Sequence, residues 1–170
     1  MSRALAILVI VLSALIPLSV RAELFPPGPA PLAARPAAIR VTLVLPAGIE
    51  LRQGSAVLSI TAGDQTARIP LSEPVPPVAT EGGTRHLLQP TQTGQAALAA
   101  LQKRYRHGAP PASTMGMRLD LCRTVAAPRN EPFLLAIRLA PGAPVLPLVA
   151  PGAGLSAITG KAPPQIAPCP

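Results

Sequence analysis

Apolar and polar residues alternate through two runs in the second half of the chain. In the first, Met115, Met117, Leu119 and Leu121 share one face, while Gly116, Arg118, Asp120 and Cys122 share the other. In the second, Phe133, Leu135, Ile137 and Leu139 repeat the apolar set, with Arg138 on the polar side. A period of two marks half-buried β-strands. The segment between them, Ala126 to Pro132, is rich in turn formers and predicts a wide hairpin that pairs the two runs.

The same period recurs upstream. Ile39, Val41, Leu43 and Leu45 alternate with Arg40 and Thr42. Ile49 to Leu51 follows the Pro46-Ala47-Gly48 turn as a short strand. Ala56, Leu58 and Ile60 form the next inward face, Gly63-Asp64-Gln65 turns the chain, and Ala67, Ile69 and Leu71 continue. Pro70 cannot donate to a ladder, so it places that strand at a sheet edge. Ser72 to Gly83 reads as a loop, Thr84 to Leu88 as a short extended segment, and Val145 to Val149 as a last edge strand.

One segment has the helical period instead. From Thr91 to His107, Ala97, Leu98, Leu101 and Tyr105 fall on one stripe. Thr91 or Thr93 can cap its start. Lys103, Arg104, Arg106 and His107 fill the last turn, where cations offset the exposed carbonyls, and Pro110 bars continuation.

Short strands separated by Pro/Gly turns make the chain mostly β. The expected architecture is an antiparallel β-sandwich with one amphipathic helix, and its narrower form is immunoglobulin-like. The alternative is an α+β domain with the helix on one antiparallel sheet. The unit from Thr84 through the helix to Cys122 resembles the strand–helix–strand crossover of some bacterial immunoglobulin-like surface modules. That resemblance is one of pattern and covers less than half of the chain.

Residues 1–22 have the three parts of a secretory signal peptide: a positive start at Arg3, an apolar run from Ala4 to Ile16, and small residues in Val20-Arg21-Ala22 before a cleavage point. Residues 23–38 hold five prolines and read as an extended lead-in. Residues 39–150 form the β-rich domain, and residues 151–170 a Gly/Ala/Pro-rich tail.

Composition changes this picture in two ways. The chain has no Trp, one Tyr and two Phe, so its core must be aliphatic. Its formal charge of +8 suggests nucleic acid, but Arg3 and Arg21 fall in the leader, leaving thirteen basic against seven acidic residues. These cations are dispersed, and no basic stripe with stacking aromatics exists, so no nucleic-acid partner is expected.

Cys122 and Cys169 are the only cysteines. In an exported chain such a pair oxidises, and no C-x-x-C redox motif competes with that reading. The strand period puts Cys122 on the polar face with Arg118 and Asp120, so the tail should cross that face, tethered at its end.

No nucleophile motif, phosphate loop or paired carboxylate is assembled. The expected function is therefore an exported, non-enzymatic binding or structural module of the cell envelope. It would act in the periplasm or outside the cell, contact a protein or envelope component without a cofactor, and reach a membrane only through an uncleaved leader. One alternative is an envelope hydrolase using His86 or His107 as base, with Asp64 or Asp120 as orienter. A second is a periplasmic copper carrier using Met115, Met117 and His107, since thioethers select Cu(I). Cleavage after Ala22 would make Glu23 the first residue of the exported protein. N-terminal sequencing should read Glu-Leu-Phe; a Met-Ser-Arg start would refute the leader.

Overall fold

The structure, a computed structural model, describes residues 30–107, 111–126, 133–159 and 165–170. The expected leader of residues 1–22, residues 23–29 and most of the expected hairpin loop lie outside them. The chain is mostly β: a curled antiparallel sheet with one long helix.

Strand β1 (Arg40–Pro46) is central. Ile39, Val41, Leu43 and Leu45 are fully buried, and Arg40 is exposed. β1 pairs along its length with β6 (Gly83–Pro90) on one side and β9 (Leu134–Arg138) on the other. Beyond β9 lies β10 (Leu146–Pro147). The far edge of β6 is shared. β5 (Val78–Thr80) pairs its first three residues, and β4 (Gln65–Ser72) pairs only Gln89 and Pro90. β4 then pairs with β3 (Val57–Ala62), and β3 with β7 (Ser113–Arg118). Separately, β2 (Ile49–Leu51) pairs with β8 (Leu121–Arg123) as a two-stranded ribbon.

The β4–β6 seam is where the sheet bends. Its ladder has just two pairs, Leu71↔Pro90 and Ser72↔Gln89, next to the Thr91 N–H bond to the Pro70 carbonyl at 3.0 Å. Pro70 and Pro90 flank the seam, and neither has an N–H to extend the ladder. The edge expected at Pro70 is thus local. β4 lies inside the strand order, but from Gln65 to Pro70 its side away from β3 meets no described strand. At the other end of β4, Gly63-Asp64 makes a two-residue hairpin loop. Its one positive-φ residue, Gly63 at 56°, comes first, the pattern of a type II′ turn.

The helix forms where its caps and stripe place it. In α1 (Gln92–Arg104) the Gly94 N–H donates to Thr91 Oγ1 at 3.1 Å, and Leu98 and Leu101 are buried. The Tyr105 hydroxyl donates to the Ala62 carbonyl at 2.8 Å, tying the end of α1 to the end of β3. α1 packs chiefly on β4. A second helix, α2 (Ser156–Thr159), is a single turn after the buried Leu155.

Three expectations need correction. The two alternating runs do not pair: β7 bonds to β3, β8 to β2, and β9 to β1. Alternation tells which face a residue takes but not which strand lies beside it. The first run is also two strands. It breaks at Asp120, whose carbonyl accepts from the Arg52 N–H at 2.9 Å. Finally, the described part of the lead-in is not a solvated extension. Pro31–Ala33 and Pro36–Ala38 form 3₁₀ turns, each opened by a proline whose missing N–H costs nothing there. Ala34 between them is buried, and its carbonyl accepts from Gln102 Nε2 of α1 at 2.6 Å.

One core draws on both parts of the sheet, α1 and the tail, and is built from aliphatic side chains with Phe133. Packing at the helix start is tight. A Cβ on Gly94 would lie 2.7 Å from the Pro70 carbonyl oxygen and 2.9 Å from Ile69 Cγ2. Alanine at a helical glycine ordinarily gains up to about 1 kcal/mol. Here Gly94→Ala should instead lose roughly 1–3 kcal/mol from overpacking. Urea denaturation measures the sign, and a stabilised variant would refute the contact.

Candidate functional site

Four places bring chemically capable groups together or leave surface unpaired. The first is the disulfide. Cys122 and Cys169 are joined, with Cα atoms 4.9 Å apart. The formed bond is consistent with an oxidising, non-cytoplasmic environment. On the chain-entropy model, a loop closed over 47 residues contributes roughly 3–4 kcal/mol.

The tail is also held without the bond. The Arg123 N–H donates to the Ala167 carbonyl at 2.9 Å, the Cys169 N–H to the Arg123 carbonyl at 3.0 Å, and Arg123 Nε to the Ile166 carbonyl at 2.8 Å. Ile166 is buried. The tail therefore runs beside β8 like a further strand, parallel to it at Arg123↔Pro168. This corrects the face assigned to Cys122. Arg118 and Asp120 stay exposed, whereas Leu121 and Cys122 are both buried. Leu121 joins the core, and the tail covers Cys122. Glu50, opposite Cys122 in the ribbon, brings Oε2 to 4.0 Å from Cys169 Sγ.

The second place is His86, the one buried polar side chain of the described core. It shares the inner face of β6 with Leu88. Its Nδ1 lies 2.8 Å from Glu73 Oε1. Nε2 is buried and has no hydrogen-bond partner among the described residues. Glu73 follows β4 at the seam and lines a cavity of about 310 Å³ with Ser72, Thr91, Gln53 and Leu88.

A carboxylate on one ring nitrogen is the arrangement that orients a histidine base, but among the described residues no hydroxyl meets Nε2. Thr91 Oγ1 is engaged in capping α1. Of the expected orienters, Asp64 accepts from Gln65 Nε2 and Asp120 pairs with Arg52; the carboxylate on His86 is Glu73. Position 73 is a strand end in a Pro-rich stretch, so no local pattern announces it. The phase of His86 with Leu88 was visible. His107 is exposed beyond the end of α1. Met115 and Met117 face Ile60 and Leu58 across β3 and pack half-buried against the core.

The third place is the outer face of β5, β6, β1 and β9. Directly opposed residues of antiparallel strands project to the same side. One row therefore runs Val78, Arg85, Val44, Leu134, and the next Leu87, Thr42 and Ala136, the last of them buried. Val78, Leu134 and Leu87 are 47%, 46% and 37% exposed, so three of the six exposed large apolar side chains lie on two adjacent rows. Arg40 and Arg138 form the row beyond, and Arg85 stands within the first. The fourth place is β7, which ends the strand order. It pairs with β3 through all six residues and with no described strand on its other edge.

No family model, curated protein or solved structure gives a significant match to the chain.

The Glu73–His86 contact makes its own demand. Glu73→Ala leaves both ring nitrogens of a buried His86 unpaired and should cost about 1–3 kcal/mol. Adding His86→Leu should restore most of the loss. Urea denaturation checks both variants, and an unchanged midpoint in the single variant would refute the pairing.

Proposed function

We propose that the protein is an exported, non-enzymatic module of the cell envelope that binds a protein through the outer face of β5, β6, β1 and β9. The observation that carries this is the pair of adjacent rows holding Val78, Val44, Leu134 and Leu87. Exposed Val78, Leu87 and Leu134, with half-buried Val44 between them, cost free energy in water, and a partner that covers them recovers it. Arg40, Arg85 and Arg138 on the same face, in a chain of net positive charge, favour a partner with an apolar contact and an acidic rim. The disulfide supports export, and the leader of residues 1–22 supplies the route. The fold that accompanies this reading is a β-sandwich, its two layers being the parts of the sheet on either side of the β4–β6 seam. The single core they share supports it.

The open edge of β7 favours a second contact, addition of an extended segment as a further strand. It has no proline, and Gly116 leaves open space where a side chain would stand.

Two variants separate these contacts. Leu87→Glu/Leu134→Glu reverses the character of the outer face at exposed positions. Thr114→Lys/Gly116→Lys charges the β7 edge. Partner capture from envelope extract, followed by hydrogen exchange of the complex, should be lost in the first variant and kept in the second. Protection of β7 amides together with loss in the second variant would move the contact to the edge. Full capture by both would refute both surfaces.

A further inference from the structure

The ribbon that carries Cys122 holds more than a disulfide. Glu50 Oε2, Cys122 Sγ and Cys169 Sγ all lie within 4.8 Å of one another. β2–β8 pairing sets Glu50 directly opposite Cys122. The hydrogen bonds of Arg123 to residues 166, 167 and 169, with the buried Ile166, keep Cys169 beside β8 by means other than sulfur. A chain with the Sγ–Sγ bond open therefore retains two thiols and a carboxylate at one spot.

From this we infer that the reduced protein binds one thiophilic divalent cation, such as Zn²⁺, through Cys122, Cys169 and Glu50. The disulfide and the metal are then alternative ways of closing the same ribbon. Two thiolates and a carboxylate form a three-ligand set of the kind that leaves the fourth tetrahedral position to water. Tetrahedral Zn–S bonds of about 2.3 Å put two sulfurs about 3.8 Å apart. Small side-chain rotations span that from the joined state, because the backbone already holds the two Cα atoms 4.9 Å apart.

The chemistry balances through a dithiol reductant. Its two thiols become a disulfide as two electrons and two protons pass to the protein. The Sγ–Sγ bond breaks, leaving Cys122 and Cys169 as thiols. The cation then displaces both thiol protons to solvent, and Glu50 joins as its carboxylate.

The experiment uses the whole mature protein, reduced with dithiothreitol and freed of it without air. Co²⁺ is titrated in and followed by thiolate-to-cobalt charge transfer in the near ultraviolet, and Zn²⁺ is then used to displace it. The expected result is saturation at one equivalent, loss of the band in Cys169→Ser, and affinity lowered roughly tenfold or more in Glu50→Gln. The carboxylate distinguishes a built site from two thiols in an unfolded chain, since Glu50 lies 119 residues from Cys169 in sequence. Equal affinity of Glu50→Gln and the parent, or no charge-transfer band in the parent, would overturn the inference.

Discussion

The structure depends on burying one aliphatic face with almost no aromatic help. Ile39 and, within β1, Val41, Leu43 and Leu45 are all fully buried, and β1 sits between β6 and β9. Each such side chain contributes about 1.5–3 kcal/mol when removed from water. A flat sheet leaves such a face half wet. The bend at the β4–β6 seam brings Leu58, Ile60 and Ile69 from the other part of the sheet into the same core. Leu98 and Leu101 of α1, Leu155 and Ile166 complete it. The prolines that interrupt the ladder at the seam therefore help the core to close.

Much of this was legible in the chain. The alternation around Val41, Leu58 and Ile69 marked the inward residues correctly, because a period of two follows from backbone geometry alone. Thr91 and the Leu98/Leu101 stripe located the helix for equally local reasons. Pairing was not legible. Leu135 and Leu121 looked like hairpin partners, yet their strands lie beside β1 and β2. Any inward-facing aliphatic strand satisfies the same pattern, and only the closed core discriminates among partners. Strand β5 was missed because Val78 to Thr80 is exposed throughout and carries no alternation. Cys122 was misplaced because the strand breaks at Asp120, which resets the phase, and because a tail remote in sequence does the burying.

The polar exceptions to the core lie at its margins. His86 is buried beside the seam, and its one polar contact, Glu73, comes from the strand end just across it. The Glu50–Cys122–Cys169 group sits on the small ribbon. Three of the six exposed large apolar side chains, Val78, Leu87 and Leu134, lie on the outer face of the sheet. Among the described residues, the interior of this core offers a single histidine with one carboxylate contact.

If the aliphatic face centred on β1 holds the molecule together, the sulfur bridge is an addition to a fold that stands without it. Native-state hydrogen exchange in oxidised and reduced protein tests this directly. Val41 to Leu45 should exchange most slowly in both states, with faster exchange on reduction confined to the ribbon and residues 165–170. Collapse of β1 protection on reduction, or slower exchange in α1 than in β1, would contradict the account.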